Sequence, residues 1–123
     1  MRLTRHNDYQ MRVLLYLGAR PERVCTIAEM ARTYGISQNH LMKVVHQLGK
    51  AGHVTSVRGR HGGIRLASDP SAINVGAVMR ASETQAGADG LALLDCPQCP
   101  IAPACGLTSV VDEALAAFFA VLE

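Results

Sequence analysis

No run of about 18 uncharged apolar residues occurs in this sequence of 123 residues, so no membrane-spanning helix is expected. A hydrophobic signal region is missing too. Arg2 and Arg5 are followed by Asn7 and Asp8, and the expected setting is the cytoplasm. Nucleophile-base pairs, phosphate-binding glycine motifs and paired acids at usable spacing are all lacking, which argues against an enzyme. Acids are scarce at one end. Eleven of the twelve Lys and Arg residues lie in positions 1–65 against only Asp8, Glu22 and Glu29, leaving that segment at +8. From Leu66 onward, Arg80 faces seven acids and the balance is −6. A basic half joined to an acidic half is what a polyanion-binding module with a differently employed tail would show, because each neutralised phosphate releases counterions.

The length and the 49% hydrophobic content suffice for one core with appendages. In residues 7–19, Tyr9, Val13, Tyr16 and Leu17 recur at helical spacing, with Gln10 and Arg12 expected to face outward, until Pro21 stops the helix. Thr26 and Glu29 have the spacing of a capping box, so a short helix follows with Ile27, Met30 and Ala31 inward. Gly35 closes it and Ser37 caps the next. That second helix, from 38 to about 50, buries Leu41, Val44, Val45 and Leu48. Two short helices about a tight glycine turn form a helix-turn-helix. Residues 53–57 and 64–66 then read as a hairpin whose tip, RGRHGG from Arg58, mixes glycines with cations: a wing.

The expected fold class is therefore mainly α with a small β-hairpin. A winged helix-turn-helix occupies 1–83, a cysteine-containing loop 84–107, and a long helix 108–123. Within 1–83, residues 75–83 form one more short helix. In the last helix Val111, Leu115, Phe118 and Leu122 share one stripe, with Val110, Ala114 and Phe119 beside it. So wide an apolar surface points to packing against a second copy, a homodimer, with docking on its own domain as the alternative.

The recognition helix offers Gln38, Asn39, His40 and Lys43 to a major groove, where amides pair with adenine and Lys reaches guanine or phosphate. Arg58 and Arg60, with His61, Gly62 and Gly63, form a tip that backbone phosphates and the minor groove can accept. Thr26 and Ser37 complete the candidate DNA-binding set at the two helix starts. Taken singly, each polar residue reads more readily as part of a solvated face than as a DNA contact. The order of cap, glycine turn, second cap and basic hairpin within about forty residues is what carries the reading.

Cys96, Cys99 and Cys105 stand within ten residues on a proline-rich stretch. A disulfide is not expected in a cytosolic DNA-binding protein, and the βαβ context of a redox pair is missing. Iron-sulfur, zinc and free structural thiols remain the alternatives. A metal normally takes a fourth protein ligand. Cys25, at the entrance to the helix-turn-helix, reads as core.

Several stretches together, MRLT at the start with Asp8 and Tyr9 opening the first helix, YGISQNHLMKVV from Tyr34, LGKAGHVTSVRGRHGGIRL from Leu48 and CPIAPAC from Cys99, resemble the iron-sulfur winged-helix transcriptional repressors, the family that includes NsrR and IscR. The likeness spans nearly the whole chain and is closest to the nitric-oxide-sensing branch. It implies a homodimer on a double-stranded DNA operator, with recognition helices in successive major grooves and wings at the minor groove. It implies an iron-sulfur cluster, 4Fe-4S with 2Fe-2S as the alternative, held by Cys96, Cys99 and Cys105. In that branch Asp8 matches an acid that completes the coordination from the partner subunit; otherwise Asp8 is a helix-start acid complementing the dipole. Repression is then relieved when nitric oxide attacks the iron. An iron- or redox-responsive regulator with the same site, and a zinc-stabilised DNA-binding or interaction module, are the alternatives. Cys96 and Cys99 stand closer together than in most such relatives, and the chain stops at Glu123 where they continue.

Overall fold

The computed structural model describes residues 4–85, Pro100 and 106–123. Its order is α1 (Arg5–Gly18), α2 (Ile27–Tyr34), α3 (Gln38–Lys50), β1 (Val54–Val57), β2 (Gly63–Leu66), a 3-10 turn (Pro70–Ala72), α4 (Val75–Gln85) and α5 (Leu107–Leu122). One compact unit is Thr4–Ile73, and α4 and α5 are the described helices of the other.

In the first unit α1 starts at Arg5, slightly earlier than the periodicity predicts, because Thr4 Oγ1 accepts the Asn7 backbone N–H at 3.3 Å. Its inner face contributes Val13, Leu14, Tyr16 and Leu17. Met30 and Ala31 of α2, Leu41, Val44, Val45 and Leu48 of α3, and Val54 and Ile64 of the hairpin close the same core. Each buried Val, Leu, Ile and Met here contributes about 1.5–3 kcal/mol, so the packing of three short helices is carried by this cluster more than by helix propensity. Gln10, expected outside, is buried, and its Oε1 has no hydrogen-bond partner. Arg12 does face outward, paired to Asp8.

A two-stranded hairpin is marginal alone and needs an anchor. Here β1 and β2 pair antiparallel in the register Val54↔Leu66 through Val57↔Gly63, and Ile64 makes a bridge to Cys25: Cys25 N–H donates to Ile64 O at 2.9 Å and Ile64 N–H to Cys25 O at 2.7 Å. Cys25 is fully buried as a small core residue, and burial pushes its thiol pKa up.

In the second unit, Asn74 Oδ1 caps α4 by accepting from Ala77 N–H at 2.9 Å. Val78, Met79 and Phe119 are buried. The start of α4 lies so close to the end of α5 that a Cβ on Gly76 would sit 3.0 Å from the Glu123 nitrogen. Arg80 lies 4.4 Å above the Phe119 ring and pairs with Glu123 at 2.9 Å. Val111, Leu115, Phe118 and Leu122 are half-buried, whereas Leu107, Val110, Ala114, Ala117 and Val121 are exposed. No helix of the described residues is long and apolar enough to cross a membrane.

Candidate nucleic-acid interface

The capping box at the entrance to α2 is formed in full: Thr26 Oγ1 accepts from Glu29 N–H at 3.1 Å, and Glu29 Oε1 accepts from Thr26 N–H at 2.7 Å. Glu29 does more than cap. Arg23 grips its carboxylate with two bonds of 2.9 Å, and the Tyr16 hydroxyl of α1 donates a third at 2.9 Å. The Arg23 guanidinium first, then the Thr26 and Tyr16 donors, hold the Glu29 carboxyl at about 2 against the opposing effect of burial. Tyr34, the last residue of α2, returns to α1 by donating its hydroxyl to Arg12 O at 3.2 Å. Both ends of α2 are thereby tied to α1.

Gly35 takes the left-handed conformation, φ 65°, that turns the chain between the two helices. Ser37 Oγ then accepts from His40 N–H at 3.5 Å and starts α3. The buried residues of α3 fix which face is left. Gln38, Asn39, Met42, Lys43, His46 and Lys50 are exposed. His40 is half-buried instead, edge-on to the Tyr9 ring at 4.7 Å and next to His6, whose pKa is lowered by burial and then by His40. Sequence reasoning therefore missed Met42 and His46. The signal that finds them is the buried set itself: at 100° per residue, positions opposite Leu41, Val44, Val45 and Leu48 are Asn39, Lys43 and His46, with Met42 on the flank of that face.

At the wing, Arg58, Gly59, Arg60 and His61 are all exposed. Gly59 has φ 114°, a conformation costly for any other residue. Gly62 and Gly63 have a steric reason to be glycine. A Cβ on Gly62 would collide with Val57 O and lie 2.9 Å from Gly59 O; one on Gly63 would collide with Cys25 O and lie 2.8 Å from Val24 Cγ1. These two set the register that presents the arginines. An open groove brings Thr26 and Gln38, at the starts of α2 and α3, together with Arg58, Gly59 and Gly62 of the wing. Thr26 and Ser37 spend an acceptor lone pair on their caps and keep a hydroxyl hydrogen. Lys43, Arg58 and Arg60 form no ion pair among the described residues; the ion pairs there engage Arg12, Arg23 and Arg80. Two helix starts, the Thr26 hydroxyl and the Arg58 guanidinium around one groove suit a phosphate backbone, and the exposed face of α3 can meet base edges.

Residues 3–123 match the Rrf2 family, whose description is iron-dependent transcriptional regulator. The chain belongs to the Rrf2 family. The HTH-type transcriptional regulator NsrR of Bacillus subtilis (strain 168) is 46% identical over 129 aligned residues, taking in 100% of this chain and 85% of the relative. NsrR of Shouchella clausii (strain KSM-K16) is 44% identical, with 100% and 83% covered. Among solved structures, T. potens IscR superposes with a TM-score of 0.75 at 24% identity, covering 99% of this chain and 80% of that one. The oxidised form of Staphylococcus aureus CymR gives 0.77 at 20% identity, covering 98% and 88%. The likeness to these structures is one of fold. The Rrf2 chain is a DNA-binding transcriptional regulator with a winged helix-turn-helix and a long C-terminal helix, and its family is one of regulators and not of enzymes.

The expected metal ligands divide. Cys96, Cys99 and Cys105 lie outside the described residues. Asp8 is on the first turn of α1, half-exposed, with Oδ1 accepting from Arg12 Nε at 2.9 Å. Among the described residues no group of three or more His, Cys, Asp or Glu could hold a metal.

Proposed function

We propose that this Rrf2 regulator is a cytoplasmic, homodimeric repressor whose operator binding responds to nitric oxide through an iron-sulfur cluster. Three thiolates, Cys96, Cys99 and Cys105, with an exposed carboxylate, Asp8, make a four-ligand set suited to iron. An iron-sulfur cluster, 4Fe-4S by preference, would supply iron with which nitric oxide reacts. Two features of Asp8 support this role: it is exposed at a helix start, and Arg12 engages only one of its two oxygens. The single observation carrying the signal assignment is the full-length likeness, 46% identical, to a regulator bearing the NsrR name.

In functional terms, residues 1–83 read DNA, 84–107 hold the cluster and 108–123 join the two copies. Val110, Ala114, Ala117 and Val121 support the last assignment. They repeat at intervals of three and four, the spacing of a helix-helix seam, and all are exposed. To engage two half-sites together, the recognition helices of such a pair must stand about one DNA turn, roughly 34 Å, apart. A change at Asp8 of one copy then acts on α1, which packs on the α3 that reads DNA.

The test is a visible absorption spectrum of anaerobically prepared protein, with operator binding followed in parallel before and after nitric oxide. Iron- and sulfide-dependent absorbance that is bleached as binding is lost is the expected result. Protein with no iron and no sulfide overturns the proposal. A second reading, an iron- or redox-responsive regulator using the same site, is favoured by the family description. It predicts that oxygen or iron depletion releases the operator at lower dose than nitric oxide does. Colourless, zinc-loaded protein would instead indicate a zinc-stabilised module.

A further inference from the structure

A single exposed apolar side chain on a protein surface needs no explanation. Met42 differs because of where it stands. It is 51% exposed at the edge of the outward face of α3, one turn after Asn39 and one turn before His46, with Lys43 next to it in the chain. The other exposed side chains of α3, Gln38, Asn39, Lys43, His46 and Lys50, are all polar. Met42 is the fifth residue of α3, within the part of a recognition helix that reaches base edges.

The edges of base pairs in the major groove carry donors and acceptors, and one apolar group: the C5-methyl of thymine. A thioether pressed against a carbonyl or an amino edge would strip water from it and return no hydrogen bond. Against a methyl it loses nothing and removes apolar surface from water. Its flexible, unbranched chain suits a contact of this kind. Met42 lies about 4.5 Å along the helix axis from Asn39, a little over one base-pair step.

We propose that Met42 is a specificity-determining residue of the DNA interface, reading the methyl group of one thymine per half-site, one or two base pairs from the base that Asn39 contacts. This rests on the DNA-reading role of α3 and does not depend on the cluster or its signal. One buried methyl corresponds to about a fourfold change in affinity.

The experiment begins by selecting binding sites for the full chain, prepared anaerobically, from a random duplex pool of about 30 base pairs, long enough for two half-sites. Each thymine of the selected duplex is then replaced by uracil, which deletes the methyl and keeps every hydrogen-bonding group. The expected result is one thymine per half-site at which uracil weakens wild-type binding about fourfold. With Met42→Gln, similar in length and a good helix former, the thymine and uracil duplexes should bind equally; with Met42→Leu the discrimination should persist. The non-additivity of variant and base change is the readout, which mere misfolding would not produce. Uracil tolerated at every position by the wild type, or discrimination retained in Met42→Gln, overturns the inference while leaving the DNA-reading function standing. Failure to select any sequence overturns both.

Discussion

Replacing Glu29 by Gln isolates the charge that joins α1 to the start of the helix-turn-helix. Gln retains the size and an oxygen for the Thr26 N–H, so the capping box can persist. What disappears is the negative charge gripped by Arg23 and bonded by Tyr16. The carboxyl lies at about 2 in the folded chain against an ordinary 4.5. That gap is worth about 3 kcal/mol at most, and because a fifth of the Glu29 side chain remains exposed, screening reduces it to about 1–2 kcal/mol. The sign follows from the direction. A depressed folded-state pKa gives stability that is present in full above 4.5 and is lost as pH falls from there to about 2. Urea unfolding at fixed protein concentration, followed by helical circular dichroism, should therefore show Glu29→Gln less stable than wild type at pH 7, with the two converging as pH falls through that window. Other carboxylates act on both proteins and cancel in the difference. A difference that stays constant down to pH 2 would show that the loss comes from packing and not from the ion pair.

Other outcomes follow from the same geometry. Changing Lys43, Arg58 and Arg60 together to Ala should weaken operator binding and flatten its dependence on salt by about 5 in log-log slope for a dimer, read from binding isotherms at several salt concentrations. Gly63→Ala should cost about 1–3 kcal/mol in urea unfolding and weaken DNA binding as well, because its Cβ collides with Cys25 O and opens the bridge to Ile64. Val110→Glu with Val121→Glu, at exposed positions of α5, should give monomers by light scattering with helix content unchanged, and operator binding should fall with the loss of the second reading head.

What could be read from the sequence was whatever is settled by local chemistry. The Thr26-Glu29 box, the left-handed Gly35 and the Ser37 cap each concern hydrogen bonds within four residues, and all three stand where the pattern places them. The hairpin was legible for a similar reason, through glycines flanking an alternating strand. Long-range choices were not. Gln10 reads as an outward polar residue and is buried; His40 reads as a base-reading residue and turns its ring to Tyr9. Both outcomes depend on how α1 sits on α3, which no residue within four positions decides. The role of Glu29 was half visible: its cap is local, whereas the grip of Arg23 and Tyr16 arises from the fold. On α5 the apolar breadth was evident, but the division into a half-buried stripe and an exposed one needed the second helix of its unit.

Asp8 is where the proposed cluster and the reading head meet, and its neighbour Arg12 makes the idea testable from both sides. Arg12 Nε holds Asp8 Oδ1 at 2.9 Å while its guanidinium lies 5.5 Å from the Tyr34 ring centroid and its carbonyl accepts the Tyr34 hydroxyl. A cation on a carboxylate lowers the charge the carboxylate can offer a metal, so the two residues should act in opposite directions. If Asp8 is a ligand, Asp8→Ala should leave iron bound by three thiolates and shorten the lifetime of the cluster absorbance in air. Arg12→Ala should lengthen that lifetime or leave it unchanged, and should loosen α2 by removing the guanidinium from the Tyr34 ring while the bond to the Arg12 carbonyl remains, seen as weaker operator binding with the spectrum preserved. If Asp8 only complements the dipole of α1, its removal costs about 0.3–1 kcal/mol of stability and leaves iron content, spectrum and lifetime as they are. Separating absorbance lifetime from unfolding free energy therefore decides between a ligand and a helix-start acid, whichever signal the regulator answers to.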